Sequence, residues 1–287
     1  MSSPLWKPSE EIIRRANLTR FFRHVEKEHR ESISDYPSLY RWSLDKPDRF
    51  WASLWTFAQV RSGKLWDQVL VDPRRMPGAK WFAGAELNFA ENLLRRRDSS
   101  PALIFRSETG LRREFSYAEV YKQVGCIARW LRRAGVQPGD RVAAFMPNLP
   151  ETIIAMLGAA SLGAVWSGCS PDFGLKGVLD RFGQIAPRVL FTAESYSYNG
   201  KAIDCMERVR GIAQQVPSIE KVVVVPYLNP NPSLEGLPQA EMWEELMAGE
   251  PAPLEFKQLP FDHPLYILYS SGTTGIPKCL VHGAGGT

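Results

Sequence analysis

Ile267-Leu268-Tyr269-Ser270-Ser271-Gly272-Thr273-Thr274-Gly275-Ile276-Pro277-Lys278 joins an apolar run to a cluster of hydroxyls, glycines and one cation. Leu265 to Tyr269 has the length and character of a buried strand. Glycine amides and Ser or Thr hydroxyls beyond it offer an anion many donors at short range, because glycine has no side chain to hold the anion off. Lys278 adds a compact, mobile positive charge. A Ser/Gly surface turn is the plainer alternative for any lone Gly-Thr pair. Six adjacent Ser, Thr and Gly residues that leave a strand and end in Lys fit a phosphate loop better. It is not a Walker A loop, which needs four residues between its glycines and Lys-Ser/Thr directly after the second.

Upstream, the text alternates between two periods. Ala102 to Arg106 and Leu111 to Phe115 read as a hairpin about Glu108-Thr109-Gly110. Ser116 and Glu119 form a capping box for a helix that runs to about Ala134 and ends at Gly135. Strand Arg141 to Phe145, helix Leu149 to Leu162 and strand Ala164 to Ser167 follow. Next come helix Gly174 to Ile185, strand Val189 to Thr192, helix Lys201 to Val216 and strand Lys221 to Val225. Strict alternation of this kind predicts an α/β layered, mostly parallel sheet with helices on both faces. Ligands of such sheets sit beyond the carboxyl ends of the strands, where the 270–278 stretch falls. Pro226 to Pro264 reads as a proline-punctuated surface connection with a short helix near Glu241 to Met247.

Before this region, Glu10 to Glu31 carries one apolar face and reads as a helix. Tyr36 to Val60 is dense in aromatics (Tyr36, Tyr40, Trp42, Phe50, Trp51, Trp55, Phe57). Packing of a helical layer explains that density better than a ligand cage. Trp81 to Leu94 by itself says helix. The division expected is a helical, aromatic-rich extension over 1–98 and the first part of a nucleotide-binding domain over 99–287.

Composition narrows the function classes. Hydrophobic residues at 44% and charged residues at 23% suit a globular protein. A formal charge of +4, spread over short Arg pairs and triplets, gives no support to a nucleic-acid partner. Cysteines 126, 169, 205 and 279 and the four histidines show no metal or disulfide spacing, so reduced, buried thiols in a cytoplasmic protein are expected. Glu10 and Glu11 stand where a secretion signal needs an apolar core. Thr152 to Pro171 runs 20 residues without a charge, but it divides at Gly163 into a capped helix and a buried strand, so no membrane partner is expected.

All twelve positions from Ile267 to Lys278 resemble the signature loop of the adenylate-forming enzymes: acyl-CoA synthetases, luciferases and the adenylation domains of peptide synthetases. Gly139-Asp140-Arg141-Val142, Met146-Pro147-Asn148 and Glu151 resemble a further stretch of acyl-CoA synthetases, although a tight turn into a central strand accounts for most of it without chemistry. Trp81-Phe82, Leu87-Asn88 and Asn92-Leu93-Leu94 resemble the N-terminal extension of the acetyl-CoA-synthetase branch. Ser170-Pro171-Asp172-Phe173-Gly174 and Tyr198-Asn199-Gly200-Lys201 look like the acetoacetyl-CoA synthetase branch. Asp172 is also placed to cap the following helix. Acetyl-CoA synthetases carry Arg-Gly-Gly-Lys at the second site, and their Arg contacts a phosphate of CoA. Tyr198 stands at that position here, so the contact does not carry over, and Lys201 is the remaining candidate for it.

The resemblance covers about Tyr36 to Thr287 and implies an acid–thiol ligase. A carboxylate attacks ATP, an acyl-adenylate forms, pyrophosphate leaves, and CoA sulfur displaces AMP. Ser270, Ser271, Gly272, Thr273, Thr274 and Gly275 are then expected around the ATP phosphates, with Lys278 as counter-charge and Mg²⁺ on the phosphates. No metal-ligating side chains are expected, and a monomer is favoured. The small partners implied are ATP, CoA and acetoacetate, with acetate or propionate as the alternative acid. A catalytically silent nucleotide-binding fragment is the alternative of another class. The family's adenine-contacting segment, ribose-binding Asp and adenylation lysine find no match in these residues. The chain is therefore expected to be an N-terminal part, inactive alone, with Gly285-Gly286-Thr287 at the start of a helix.

Overall fold

Side chains of a strand alternate between its two faces, so a segment such as Lys-Val-Val-Val-Val at 221–225 must be covered on both. The computed structural model describes residues 5–31, 33–248, 253–271 and 275–287, and it forms two compact units, Met1–Ala85 and Glu86–Thr287.

The first unit holds α1 (Glu10–Arg15), α2 (Asn17–His29), α3 (Tyr36–Asp45), α4 (Pro47–Phe57) and an antiparallel pair, β1 (Gln68–Val71) and β2 (Lys80–Ala83). One helix was expected over Glu10 to Glu31. Two form, because Ala16 takes an extended conformation (ψ 140°) and its N–H bonds to Ile13 O instead of continuing the ladder. The aromatics are packing, as expected. Phe21, Leu39 and Trp42 are buried with Phe50 and Phe57 against them, and the Phe21 and Phe57 ring centroids lie 5.2 Å apart.

The second unit opens with β3 (Glu86–Leu87) and α5 (Phe89–Leu93), so the helix expected across Trp81 to Leu94 is confined to its last third. Asn88 explains where it starts. Its Oδ1 accepts from Glu91 N, capping α5, and its buried Nδ2 lies within 3.1 Å of Ala160 O, Ser161 O and Lys257 O. The order then runs β4 (Pro101–Arg106), β5 (Arg112–Ser116), α6 (Tyr117–Arg133), β6 (Arg141–Phe145), α7 (Pro150–Leu162), β7 (Val165–Cys169) and α8 (Leu175–Ile185). After these come β8 (Val189–Ala193), β9 (Ser195–Tyr198), β10 (Lys201–Asp204), α9 (Met206–Gln215), β11 (Lys221–Val225), β12 (Glu241–Met242) and α10 (Trp243–Met247). The unit closes with β13 (Leu259–Pro260), β14 (Pro264–Ser270) and β15 (Lys278–Gly283).

Seven strands form one sheet in the order β12-β11-β8-β6-β7-β14-β15, parallel throughout except for the β14–β15 pair. Val142, Ala144, Trp166, Phe191 and Val223 pack into the layer of α6, α7 and α10. Ala143, Phe145, Val165, Leu190 and Val222 pack into the layer of α8 and α9. The capping box at Ser116 and Glu119 is present, and Gly163, at φ 81°, ends α7 in the left-handed conformation its sequence required. Gly158 lets α6 and α7 approach closely, since a Cβ there would stand 2.5 Å from Ile127 Cγ2.

Two further expectations are corrected. Helix Lys201 to Val216 begins only at Met206, because Lys201–Asp204 pairs antiparallel with Ser195–Tyr198 about a turn of positive-φ residues, Asn199 and Gly200. Asp172 does not cap α8, whose N-cap is Gly174 with no side-chain bond. Gly285 and Gly286 form a turn, with Gly285 N bonded to Phe261 O (2.8 Å). Among the described residues, no helix is long and apolar enough to cross a membrane.

Candidate functional site

A parallel sheet aims the carboxyl ends of its strands at one edge, and the loops after β6, β7, β8, β11 and β14 leave from that edge here. β6 feeds β7 on one side, and β7 then returns through α8 to β8 on the other. The switch of direction leaves a crevice at that edge.

The loop after β14 is the tip of a β-hairpin. Ser270 and Lys278 are partners in the β14–β15 register, so the fold brings the first hydroxyl and the cation of the stretch side by side. Ser271, Gly275 and Lys278 are exposed, and Ser270 is half-buried. Gly275 has φ 119°, a conformation that a side chain strains, and open space beside it. Gly272, Thr273 and Thr274 lie outside the described residues.

The base of this hairpin is held from below. Ser167 Oγ donates to Ile267 O (2.9 Å) and lies 2.8 Å from the Tyr269 hydroxyl, tying β7 to β14 one residue before the loop. The Arg181 guanidinium of α8 sits 4.2 Å from the Phe173 ring centroid and 5.5 Å from that of Tyr269. One turn further along α8, Gln184 Nε2 donates to Pro277 O at 3.0 Å. Burial raises the Tyr269 phenol well above its ordinary range, so it remains a neutral spacer. Burial also pushes the Cys169 thiol up to about 12, with Arg181 opposing, and the Cys205 thiol up to about 11, with Arg208 opposing. Neither is a nucleophile at neutral pH.

The loop after β7 presents Phe173 partly exposed, and its Pro171 O accepts from Arg208 Nη1 (2.5 Å). The loop after β6 leads to Glu151, which is buried and paired bidentately with Arg113 of β5 (2.6 and 2.9 Å). Its carboxylate is therefore a structural tie between the β4–β5 hairpin and α7. The β9–β10 hairpin follows β8 and displays Tyr198 and Lys201, both exposed. β8 and β14 are separated by β6 and β7, about 14 Å at ordinary strand spacing. The Lys201 hairpin thus follows a strand that is not a neighbour of β14.

Sequence reading singled out the 270–278 stretch but not the residues that support it. Gln184 and Arg181 carry no motif, since their roles arise from α8 crossing beneath β14. Glu194, 1% exposed, was equally silent. It accepts from the amides of Tyr227, Leu228 and Asn229 (2.5, 2.6 and 2.7 Å), fixing the root of the β9–β10 hairpin. Among the described residues, no three His, Cys, Asp or Glu side chains gather as a metal site.

The family model described as AMP-binding enzyme matches residues 89–286, and that described as acetyl-coenzyme A synthetase N-terminus matches residues 36–93. The chain is 45% identical over 289 residues to an acetoacetyl-coenzyme A synthetase of Rhizobium meliloti (strain 1021), covering 99% of this chain and 44% of that protein. It is 37% identical over 297 residues to a malonamoyl-CoA synthetase of Penicillium aethiopicum, covering 99% of this chain and 41% of that one. Among solved structures, an acetoacetyl-CoA synthetase from Streptomyces lividans superposes with a TM-score of 0.93 at 41% identity, over 99% of this chain and 44% of that chain. The chain thus spans less than half the length of the relatives it matches.

Proposed function

Given that the chain belongs to the AMP-binding enzyme family, we propose that it carries the phosphate-binding part of an acid–thiol ligase that joins acetoacetate to CoA at the expense of ATP. One observation carries this reading: the Ser270–Lys278 hairpin tip stands at the carboxyl edge of the parallel sheet, with Ser270 and Lys278 paired across its base. In this reading Ser270, Ser271, Gly272, Thr273, Thr274 and Gly275 donate to the β- and γ-phosphate oxygens. Lys278 offsets the negative charge that grows there as the bond from the α-phosphorus to the bridging oxygen breaks. The substrate carboxylate supplies the new bond to that phosphorus, and pyrophosphate departs. CoA sulfur then attacks the acyl carbon and AMP leaves.

The donor set fits a magnesium nucleotide, because Mg²⁺ keeps water and phosphate ligands and needs no cage of protein carboxylates. When bound, it neutralises charge on the departing pyrophosphate. Lys201 is assigned to a phosphate of CoA at the separate β9–β10 subsite. The compartment we propose is the cytoplasm, and the support is three buried thiols and one half-buried thiol, all free.

The first test is Lys278→Ala in the intact enzyme. Acetoacetate-dependent ATP–pyrophosphate exchange is expected to fall about a hundredfold, as for loss of one preorganised transition-state donor. Unchanged exchange would remove Lys278 from the site. A second acid is favoured by one observation, the 37% identity to a protein named malonamoyl-CoA synthetase. Acetoacetate, malonamate, acetate and propionate compared in the same exchange assay decide between them. We expect acetoacetate to be the most active.

A further inference from the structure

The turn that presents Lys201 is tied to a distant hairpin by a single carboxylate. Glu108, at the tip of β4–β5, accepts from Asn199 N at 3.0 Å and from Gly200 N at 3.1 Å, one amide to each oxygen. Asn199 (φ 52°) and Gly200 (φ 72°) are the two central residues of a tight β9–β10 turn whose ladder is complete without this contact, from Tyr198–Lys201 down to Ser195–Asp204. Their amides point away from that ladder, as successive turn amides that hold anions do. The hairpin therefore does not need Glu108 to form. What Glu108 fixes is where the tip sits.

Both sides of the bridge rest on rigid supports. The β4–β5 hairpin is anchored to α7 by the bidentate Arg113–Glu151 pair, and its turn is closed by Ser107 N to Leu111 O (3.0 Å) and Leu111 N to Ser107 Oγ (3.2 Å). The root of β9–β10 is held by the three amides on Glu194. Between the two lies a pocket of about 130 Å³, lined among others by Phe105, Glu108, Asn148, Tyr196 and Tyr227. With both turn amides occupied, the positive group left at this tip for an incoming phosphate is the Lys201 ammonium.

We infer that Glu108 is a positioning residue for coenzyme binding: it holds the Tyr198–Lys201 turn so that Lys201 meets a phosphate of CoA. This rests on the proposed role of Lys201. The test compares Glu108→Ala, Glu108→Gln and Lys201→Ala in the intact enzyme, reading the KM for CoA beside acetoacetate-dependent ATP–pyrophosphate exchange, which requires no CoA.

Glu108→Ala is expected to raise the KM for CoA roughly five- to tenfold, as for loss of a charge-assisted contact. Its kcat and exchange rate should stay within about twofold of wild type on the same ground, since the adenylation loop is a separate subsite. Glu108→Gln, which retains one acceptor oxygen, should recover part of the loss. An unchanged KM overturns the inference. So does a lowered KM, which would make Glu108 a competitor for the turn amides, and so does a parallel loss of exchange, which would make it a general structural tie. If Lys201→Ala raises the KM and Glu108→Ala does not, the positioning role fails while the coenzyme subsite stands. If Lys201→Ala has no effect, the assignment of Lys201 fails and the inference falls with it.

Discussion

Cys169 and Cys205, like Tyr269, are groups whose burial makes the fold sensitive to alkali. In the unfolded chain both thiols ionise near their ordinary value of 9.0, whereas burial holds them up to about 12 and about 11 in the folded state. Between those values the unfolded state has released protons that the folded state still holds, so stability falls as pH rises. The expected outcome is a urea midpoint that declines from pH 9 to pH 11, and a decline that flattens in the Cys169→Ala, Cys205→Ala double variant. An equal slope in that variant would assign the loss to other groups. Half-buried Cys279 should react first with a thiol reagent at pH 8. Single residues were legible in sequence where their chemistry is local. Ser116 with Glu119, and Gly163, announce themselves by type and spacing. Glu108 and Glu194 do not, since their partners are amides 91 and 33 residues away.

At the scale of elements, α8 supports the 270–278 loop more directly than any strand but β14 and β15, the two that the loop joins. Gln184 holds Pro277 O, and Arg181 rests against Tyr269 just before the loop. Gln184→Ala should free the far end of the hairpin tip and raise the KM for ATP roughly threefold to tenfold, the worth of one hydrogen bond. The KM for CoA, read in the same assay, should stay put. Equal changes in both would mean that α8 itself has shifted. Element types came through wherever a segment was apolar nearly throughout and bounded by turn residues or a cap, as in β6, α7 and β11. The failures share one physical cause, a short local feature overriding a longer period. Asn-Gly at 199–200 closes a hairpin that the helical reading of 201–216 had absorbed. The extended Ala16 breaks a pattern containing neither Gly nor Pro. β15 was not foreseen, because Lys278 to Gly283 alternates too weakly to stand out beside the loop before it.

At the scale of the molecule, the parallel sheet was implied by alternation, but its order was not. Buried strands such as Val189–Ala193 and Lys221–Val225 are apolar on both faces, so their composition says that they are central without saying beside what. The crossing from β7 back to β8 decides which loops share the carboxyl edge, and it is a property of packing between layers. It puts the Lys278 hairpin and the Lys201 hairpin on one edge, with β6 and β7 between the strands they follow. If each hairpin holds its own ligand, as proposed, the two should act on stability independently. A ligand present at a hundred times its Kd adds about 2.7 kcal/mol to the folded state whichever subsite it fills. For a unit of this size that is roughly 5–10 °C in Tm. Magnesium ATP should therefore raise the Tm of wild type and of Lys201→Ala alike and do little for Lys278→Ala at the same concentration, while CoA should show the reverse. Thermal scans of the three proteins with each ligand check this. If Lys278→Ala abolished the response to CoA as strongly as the response to ATP, the two hairpins would form one site, and the separation imposed by β6 and β7 would not describe how ligands are held.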